Sequence, residues 1–234
     1  MFTDICSMRI FLVAATKQEI QPVIEQQSTG KLPGNRKHRL LFHTTGVGLV
    51  AATYSIVKLI ENEQPDLIIQ AGIGGCFLNG QLGKVVTVRA DTIADMGVVE
   101  GNDFKNIFDL NLQHSGEFPY AAGLLKNPYH ALMNIGSAEQ VDAVSVNEIS
   151  SNKTMIAYLQ QRYSPYVESM EGASLHYVCL LEKIPFIQFR SVSNEIGERD
   201  KTKWKIKEAV TNLNDTVTDL LKKLEEYDEN LFRI

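Results

Sequence analysis

Residues 39–75, RLLFHTTGVGLVAATYSIVKLIENEQPDLIIQAGIGG, pass through one full strand–helix–strand cycle, and that cycle sets the fold class. Arg39–Thr45 reads as a strand. Gly46-Val47-Gly48 is a tight turn, and Leu49–Asn62 carries apolar residues at helical spacing. Pro65-Asp66 breaks that helix. Leu67–Gln70 (LIIQ) is a short apolar run suited to a buried strand, and it ends on Ala71-Gly72-Ile73-Gly74-Gly75.

The alternation extends both ways. Met8–Ala15 is a buried-strand candidate, followed by Thr16 and, three residues on, Glu19 in capping-box spacing. The helix runs towards Gln27, and Ser28–Lys37 is a polar loop. Lys84–Thr92 is β-rich, with a bent continuation expected towards Val99, while Gly101–Ile135 shows no readable period. Gln140–Val146 is a strand, Ile149–Gln161 a helix, Tyr166–Met170 extended and Glu171–Glu182 helical. Pro185–Val192 is a final strand, and Lys201 to about Tyr227 is a long amphipathic closing helix. This order predicts an α/β fold, a three-layer α/β/α sandwich around a mixed, mainly parallel central sheet. No repeat or linker divides the chain, so 1–234 is expected to form one domain.

Composition narrows the function classes. A hydrophobic content of 44% with 22% charged residues is that of an ordinary soluble globular protein. No apolar run approaches the ~20 residues of a membrane helix. Met1–Ile10 carries an acid and no basic segment, so no secretory signal is expected. The net charge of -5 and the lack of a basic stripe before the C-terminal helix argue against nucleic acid. Cys6, Cys76 and Cys179 lie far apart, which fits neither a zinc site nor a disulfide framework and points to a reducing cytoplasm. Each is expected to pack as a small apolar residue. The five histidines show no HxxxH spacing, so no metal site is expected.

Gly46-Val47-Gly48-Leu49-Val50-Ala51 matches the GxGxxA dinucleotide fingerprint, and Asp66 stands at about the ~20-residue distance that motif requires. The acid should close the second strand, where it can reach a ribose. Asp66 instead precedes its strand. Close strand–helix packing asks for small residues without any cofactor, so an NAD site is the weaker reading and no cofactor is expected. The turn could also line a different site.

Four segments fall where strands end, the place at which ligands of open α/β sheets collect. They hold Glu19; Gly72-Ile73-Gly74-Gly75; Glu168-Ser169-Met170-Glu171-Gly172-Ala173; and Arg190-Ser191-Val192-Ser193-Asn194. In this order and at these distances they resemble the nucleoside phosphorylase/nucleosidase family, recognisably from Met8 to the C-terminal helix. The chain is similar to methylthioadenosine/adenosylhomocysteine nucleosidase. Ser193-Asn194, then Gly197-Glu198-Arg199-Asp200 and Trp204, resemble most the branch that removes hypoxanthine from futalosine in a menaquinone pathway.

The resemblance implies a phosphorylase/hydrolase-like fold and hydrolysis of an N-ribosidic bond, with roles for particular residues. Glu19 matches the carboxylate that positions or activates water, although it also suits a capping-box acid. Glu171 matches the acid that binds ribose hydroxyls, with Met170 along the apolar ribose face. Gly72 and Ile73, in the glycine segment, are expected to bind substrate. Val144 and Val146, around Ser145, align with the segment whose backbone contacts the base. Asn194 stands where adenine-cleaving relatives carry Asp; an amide suits the N7 and O6 edge of a 6-oxopurine. Its other reading is a turn residue closing the last strand. Phosphate-dependent relatives carry an arginine just before the glycine turn, where Ile69-Gln70-Ala71-Gly72 stands here, so phosphorolysis is disfavoured; Arg89 and Arg190 keep it open. The resemblance also implies a small-molecule nucleoside as substrate and a homodimer or larger homo-oligomer. Phe104, Phe108 and His114 fall in the segment that supplies subunit contacts and a pocket edge in relatives. A binding protein that keeps the fold without turnover is the competing class.

Overall fold

The computed structural model describes residues 7–32, 37–101, 103–226 and 229–232. Cys6, residues 33–36 of the expected loop and Tyr227 at the expected helix end lie outside the described residues. The strands are β1 (Arg9–Ala14), β2 (Arg39–Thr44), β3 (Leu67–Cys76), β4 (Val85–Asp91), β5 (Gly97–Glu100), β6 (Asp103–Asn106), β7 (Leu125–Lys126), β8 (Glu139–Ser145), β9 (Val167–Ser169) and β10 (Phe186–Glu195). The helices are α1 (Lys17–Ser28), α2 (Leu49–Glu63), α3 (His130–Ile135), α4 (Lys153–Tyr163), α5 (Gly172–Glu182) and α6 (Ile206–Leu224).

The alternating α/β order and the mixed, mainly parallel sheet stand as expected; the simple three-layer sandwich does not. β3 is the reason. One edge pairs in parallel with β10 from Ile68 to Cys76. The other edge pairs with β1 over Leu67–Gln70, then with antiparallel β9 at Gly75 and Cys76. Since β10 pairs with β4, β4 with β8 and β8 with β9, the sheet closes on itself as a five-stranded barrel. β1 and β2 extend from it as an open wing.

The glycine segment read as a turn is the second half of β3. A Cβ at Gly74 would lie 2.7 Å from the Glu168 carbonyl oxygen and 2.8 Å from Val167 Cγ2. Any side chain there would push β9 away and open the barrel, which is a packing reason for glycine within a strand.

The main core lies between the sheet and its helices: Leu12, Ile68, Ile69, Phe186 and Ile187 meet Leu213, Val217 and Leu220. α6 buries Ala209, Leu213, Val217, Leu220, Leu221 and Leu224, the apolar stripe that its period required. Its start is later than expected, because Lys201–Lys203 forms a separate 3₁₀ turn. α4 also starts late, at Lys153, where the Asn152 side chain accepts the Thr154 N–H at 2.8 Å. Residues 147–152 are therefore loop. The bent continuation beyond β4 is a separate hairpin, β5 with β6. Cys76 and Cys179 are buried.

Candidate active site

β1, β3 and β10 run parallel, and a cavity of about 360 Å³ opens at their C-terminal ends. Its wall includes Glu19, Ile73, Glu168, Met170, Glu171, Ser193 and Asn194, with Val47, Ile149, Trp204 and Ile206 as apolar cover.

Glu19 serves as helix cap and cavity wall together. Its Oε2 accepts the Thr16 backbone N–H at 2.9 Å and the Thr16 hydroxyl at 3.0 Å. Its Oε1 accepts the Ile73 N–H at 3.1 Å. Three donors hold the carboxylate against β3 and fix its rotamer, a pre-organisation that a flexible surface acid lacks.

Glu171 sits immediately before α5. Its Oε1 accepts the Gly48 N–H at 3.1 Å, and its Oε2 lies 3.6 Å from Arg190 Nη1. The GxGxxA turn thus lines this site. Gly48 has φ of +92°, a backbone conformation that glycine adopts without strain and that aims its N–H at the carboxylate. Asp66 lies at the opposite end of the sheet, accepting the Arg9 N–H at 2.6 Å, far from any ribose role.

Arg190 is fully buried beside Glu171. Its Nη2 donates to Gln70 Oε1 at 2.9 Å. A Cβ at Gly72 would lie 2.1 Å from Arg190 Nη1 and 3.2 Å from Glu19 Oε1, so Gly72 makes room for the guanidinium that pairs with Glu171. The first turn of α5 is held from below: Ser169 Oγ accepts the Gly172 N–H at 3.2 Å, and Ser145 Oγ accepts the Ala173 N–H at 2.8 Å. The Ser145 hydroxyl lies 3.0 Å from Asp91 Oδ1. Burial pushes the Asp91 carboxyl up to about 6, against the opposing pull of Arg190 and its hydrogen bonds.

Asn194 Oδ1 accepts from Ser193 Oγ at 2.8 Å, and its Nδ2 donates to the Glu195 carbonyl at 3.1 Å. An amide nitrogen has two protons, so one stays free to donate into the cavity. Taken together, the cavity can hold a polyol at the acids, a planar apolar group against its apolar wall, which includes Ile149 and Met170, and an acceptor at Asn194.

Residues 9–227 match the family model described as the phosphorylase superfamily. The chain belongs to the phosphorylase superfamily. It is 28% identical over 206 residues to the futalosine hydrolase of Streptomyces coelicolor, covering 83% of this chain and 86% of that protein. It is 27% identical over 181 residues to the futalosine hydrolase of Thermus thermophilus, covering 76% and 79%. Its fold superposes on the 5'-methylthioadenosine/S-adenosylhomocysteine nucleosidase of Helicobacter pylori, in complex with butyl-thio-DADMe-Immucillin-A, with a TM-score of 0.77. That pairing is 14% identical and covers 93% of this chain and 99% of the other. Within the superfamily the chain is an N-glycosyl hydrolase.

Not every residue singled out from the sequence reaches the cavity of this superfamily member. Glu19, Ile73, Met170, Glu171 and Asn194 do. Gly72 does not line it, and its place is the space filled by Arg190. Val144 and Val146 are fully buried and pack with Ala94 and Leu159, so their side chains belong to the core. Arg89 points outward and pairs with Asp142 at 2.8 Å. Phe104 stacks edge-on against Tyr158 and Phe108 against Tyr120, away from the cavity wall. Two polar residues were passed over: Glu168, which lines the cavity, and Asp91, beneath α5. The acid of Glu168-Ser169-Met170-Glu171 at the odd position was the available signal, since strand alternation places it on the same face as Met170.

Proposed function

We propose that this enzyme hydrolyses the N-ribosidic bond of futalosine and releases hypoxanthine, a step in menaquinone biosynthesis. The observation that carries the reading is the convergence of Glu19, Glu171 and Asn194 on one cavity. Cleavage builds positive charge on the sugar and negative charge on the leaving base. Glu171 accepts ribose hydroxyls and stabilises the cationic ring. Glu19 orients water at the anomeric carbon and takes its proton as the new C–O bond forms. Asn194 donates its free N–H to N7 or O6 as the C–N bond pair moves onto the purine. Arg190 pairs with Glu171 and holds it in place.

Charge supports hydrolysis over phosphorolysis. Glu19, Glu168 and Glu171 line the cavity and one buried guanidinium pairs with Glu171, so a phosphate dianion would enter a site already net negative. Arg89, engaged by Asp142, offers no help. Val47, at the cavity wall, and Val50 and Tyr54, on the first turns of α2, are all exposed and support a homodimer or larger homo-oligomer.

The test is base release in phosphate-free buffer from futalosine, its 6-amino analogue, inosine and methylthioadenosine. Hypoxanthine release from futalosine alone is expected. Preference for methylthioadenosine would overturn the substrate, and strict dependence on phosphate would overturn the reaction.

A further inference from the structure

Glu168 faces the same cavity from β9. Its neighbour Val167 turns into the cluster of Val86, Val88, Val141 and Ala143, and Ser169 reaches the Ser145 hydroxyl at 3.2 Å. Alternation therefore puts Glu168 and Met170 together on the cavity face. The residue is 4% exposed. Its Oε1 accepts the Ser150 N–H at 3.0 Å. Its Oε2 is buried with no hydrogen-bond partner among the described residues. Burial pushes this carboxyl up, hydrogen bonding from Ser150 opposes that shift, and the nearby Asp95 adds the smallest push. A buried acceptor left open beside a cavity calls for a donor from whatever fills it.

Register says which part of a ligand that is. Gly75 pairs with Glu168 across one edge of β3 and with Asn194 across the other. The two side chains thus stand on opposite sides of one strand at the same level, and Met170 and Ile149 line the same cavity. One offers an open acceptor and the other an open donor. A 6-oxopurine presents the complement: an N1–H donor beside its O6 and N7 acceptors. A 6-aminopurine presents an acceptor at N1 and would set lone pairs against the carboxylate.

We propose that Glu168 Oε2 accepts the N1–H of a 6-oxopurine and so selects the base. This rests on the nucleoside reading above and adds a specificity residue to it. Glu168→Gln should do more than weaken the contact. The Ser150 N–H requires an acceptor, so it pins the amide oxygen and turns the NH₂ group to the cavity. The edge changes from acceptor to donor, which suits adenine.

The experiment measures binding of free hypoxanthine, 1-methylhypoxanthine and adenine by calorimetry to wild type and Glu168→Gln, beside futalosine hydrolysis by wild type. Wild type should bind hypoxanthine ~10-fold or more tightly than either other base. In Glu168→Gln the gap between hypoxanthine and its 1-methyl derivative should close and adenine should gain. Unchanged ratios in the variant, equal wild-type affinity for the 1-methyl base, or no binding of any base would overturn the proposal. The methylated base tests wild type alone, so a variant that fails to fold hides nothing. Wild type that hydrolyses futalosine but accepts the 1-methyl base refutes the Glu168 contact and leaves the nucleosidase reading intact. Wild type that discriminates the two bases yet hydrolyses nothing does the reverse.

Discussion

Adding one methyl group at Gly72 tests how the site is packed. The Cβ of Gly72→Ala would lie 2.1 Å from Arg190 Nη1 and 3.2 Å from Arg190 Cζ. The guanidinium must retreat ~1.3 Å to reach an ordinary contact of ~3.4 Å. It has little freedom to do so. Arg190 is 1% exposed, its Nη2 is anchored on Gln70, and its Nη1 faces Glu171. If only packing suffers, overfilling costs ~1–3 kcal/mol. If the guanidinium is driven from Glu171, a buried charge is left unpaired at ~3–5 kcal/mol. The anchored geometry favours the second route, so a loss of ~3 kcal/mol is expected. At ~2–4 °C per kcal/mol for a chain of this size, that is a fall in Tm of ~6–12 °C.

The same methyl comes 3.2 Å from Glu19 Oε1, so kcat should fall with stability. A cycle with Arg190→Met isolates the cause. Without a guanidinium the methyl meets a flexible thioether chain, and the double variant should be more stable than the sum of single costs predicts by ~1 kcal/mol or more. Denaturant midpoints for the four proteins decide it. Additive costs, or a Gly72→Ala protein that melts with wild type, would refute the claim that Gly72 exists to admit Arg190.

Further outcomes follow from the same geometry. Glu19→Gln keeps the volume and removes the proton acceptor, so kcat should drop ~10²–10⁴-fold with the fold intact by circular dichroism. Val146→Ala, deep in the cluster with Ala94 and Leu159, should lower stability by ~1–3 kcal/mol while leaving KM unchanged; a raised KM would show that this segment meets the base. Asp91, held at about 6 in the fold against 3.8 as its ordinary value, binds its proton more tightly folded than unfolded. Its stabilisation is complete below pH ~4 and is lost as pH rises through ~6, so the melting difference between Asp91→Asn and wild type should grow in the variant's favour over that window, by on the order of 3 kcal/mol at the limit. His176 opposes this, with burial pushing it down to about 4, so its contribution is lost as pH falls from ~6.5 towards 4; a flat wild-type profile that tilts in opposite senses in the two single variants is the expected signature.

Period and punctuation made most of the elements legible, because buried strands and amphipathic helices carry their pattern locally. The same locality explains what was lost. Ala71–Gly75 reads as a turn since glycine clusters usually mark turns, whereas here the glycines serve β9 and β10, neighbours contributed by residues nearly a hundred positions or more away. The closed barrel follows from those pairings and has no local signature. Helix starts at 149 and 201 were set too early because side-chain periodicity continues into loops that lack helical hydrogen bonds. At the site, Glu19, Glu171 and Asn194 were legible as polar residues at strand ends. From the sequence Arg190 reads as a residue that keeps phosphorolysis open, and the space it fills depends on the missing side chain of Gly72.

That arrangement has an energetic consequence. A buried ion pair is a weak source of stability, and a fold selected for stability alone could fill the space with apolar side chains. Here Arg190 Nε, Gln70 Nε2 and Glu168 Oε2, on β10, β3 and β9, all lack partners among the described residues, as do Thr87 Oγ1 and His176 Nε2 elsewhere. Main-chain ladders surround the first three and keep them from relaxing. Polar groups that are fixed, dry and only partly satisfied cost the folded state free energy. Of the three, Glu168 alone lines the cavity, so its cost falls when a ligand brings a donor to it. The unfavourable burial and the chemistry are thus one feature, and substitutions that raise stability at Arg190 or Glu168 should lower turnover.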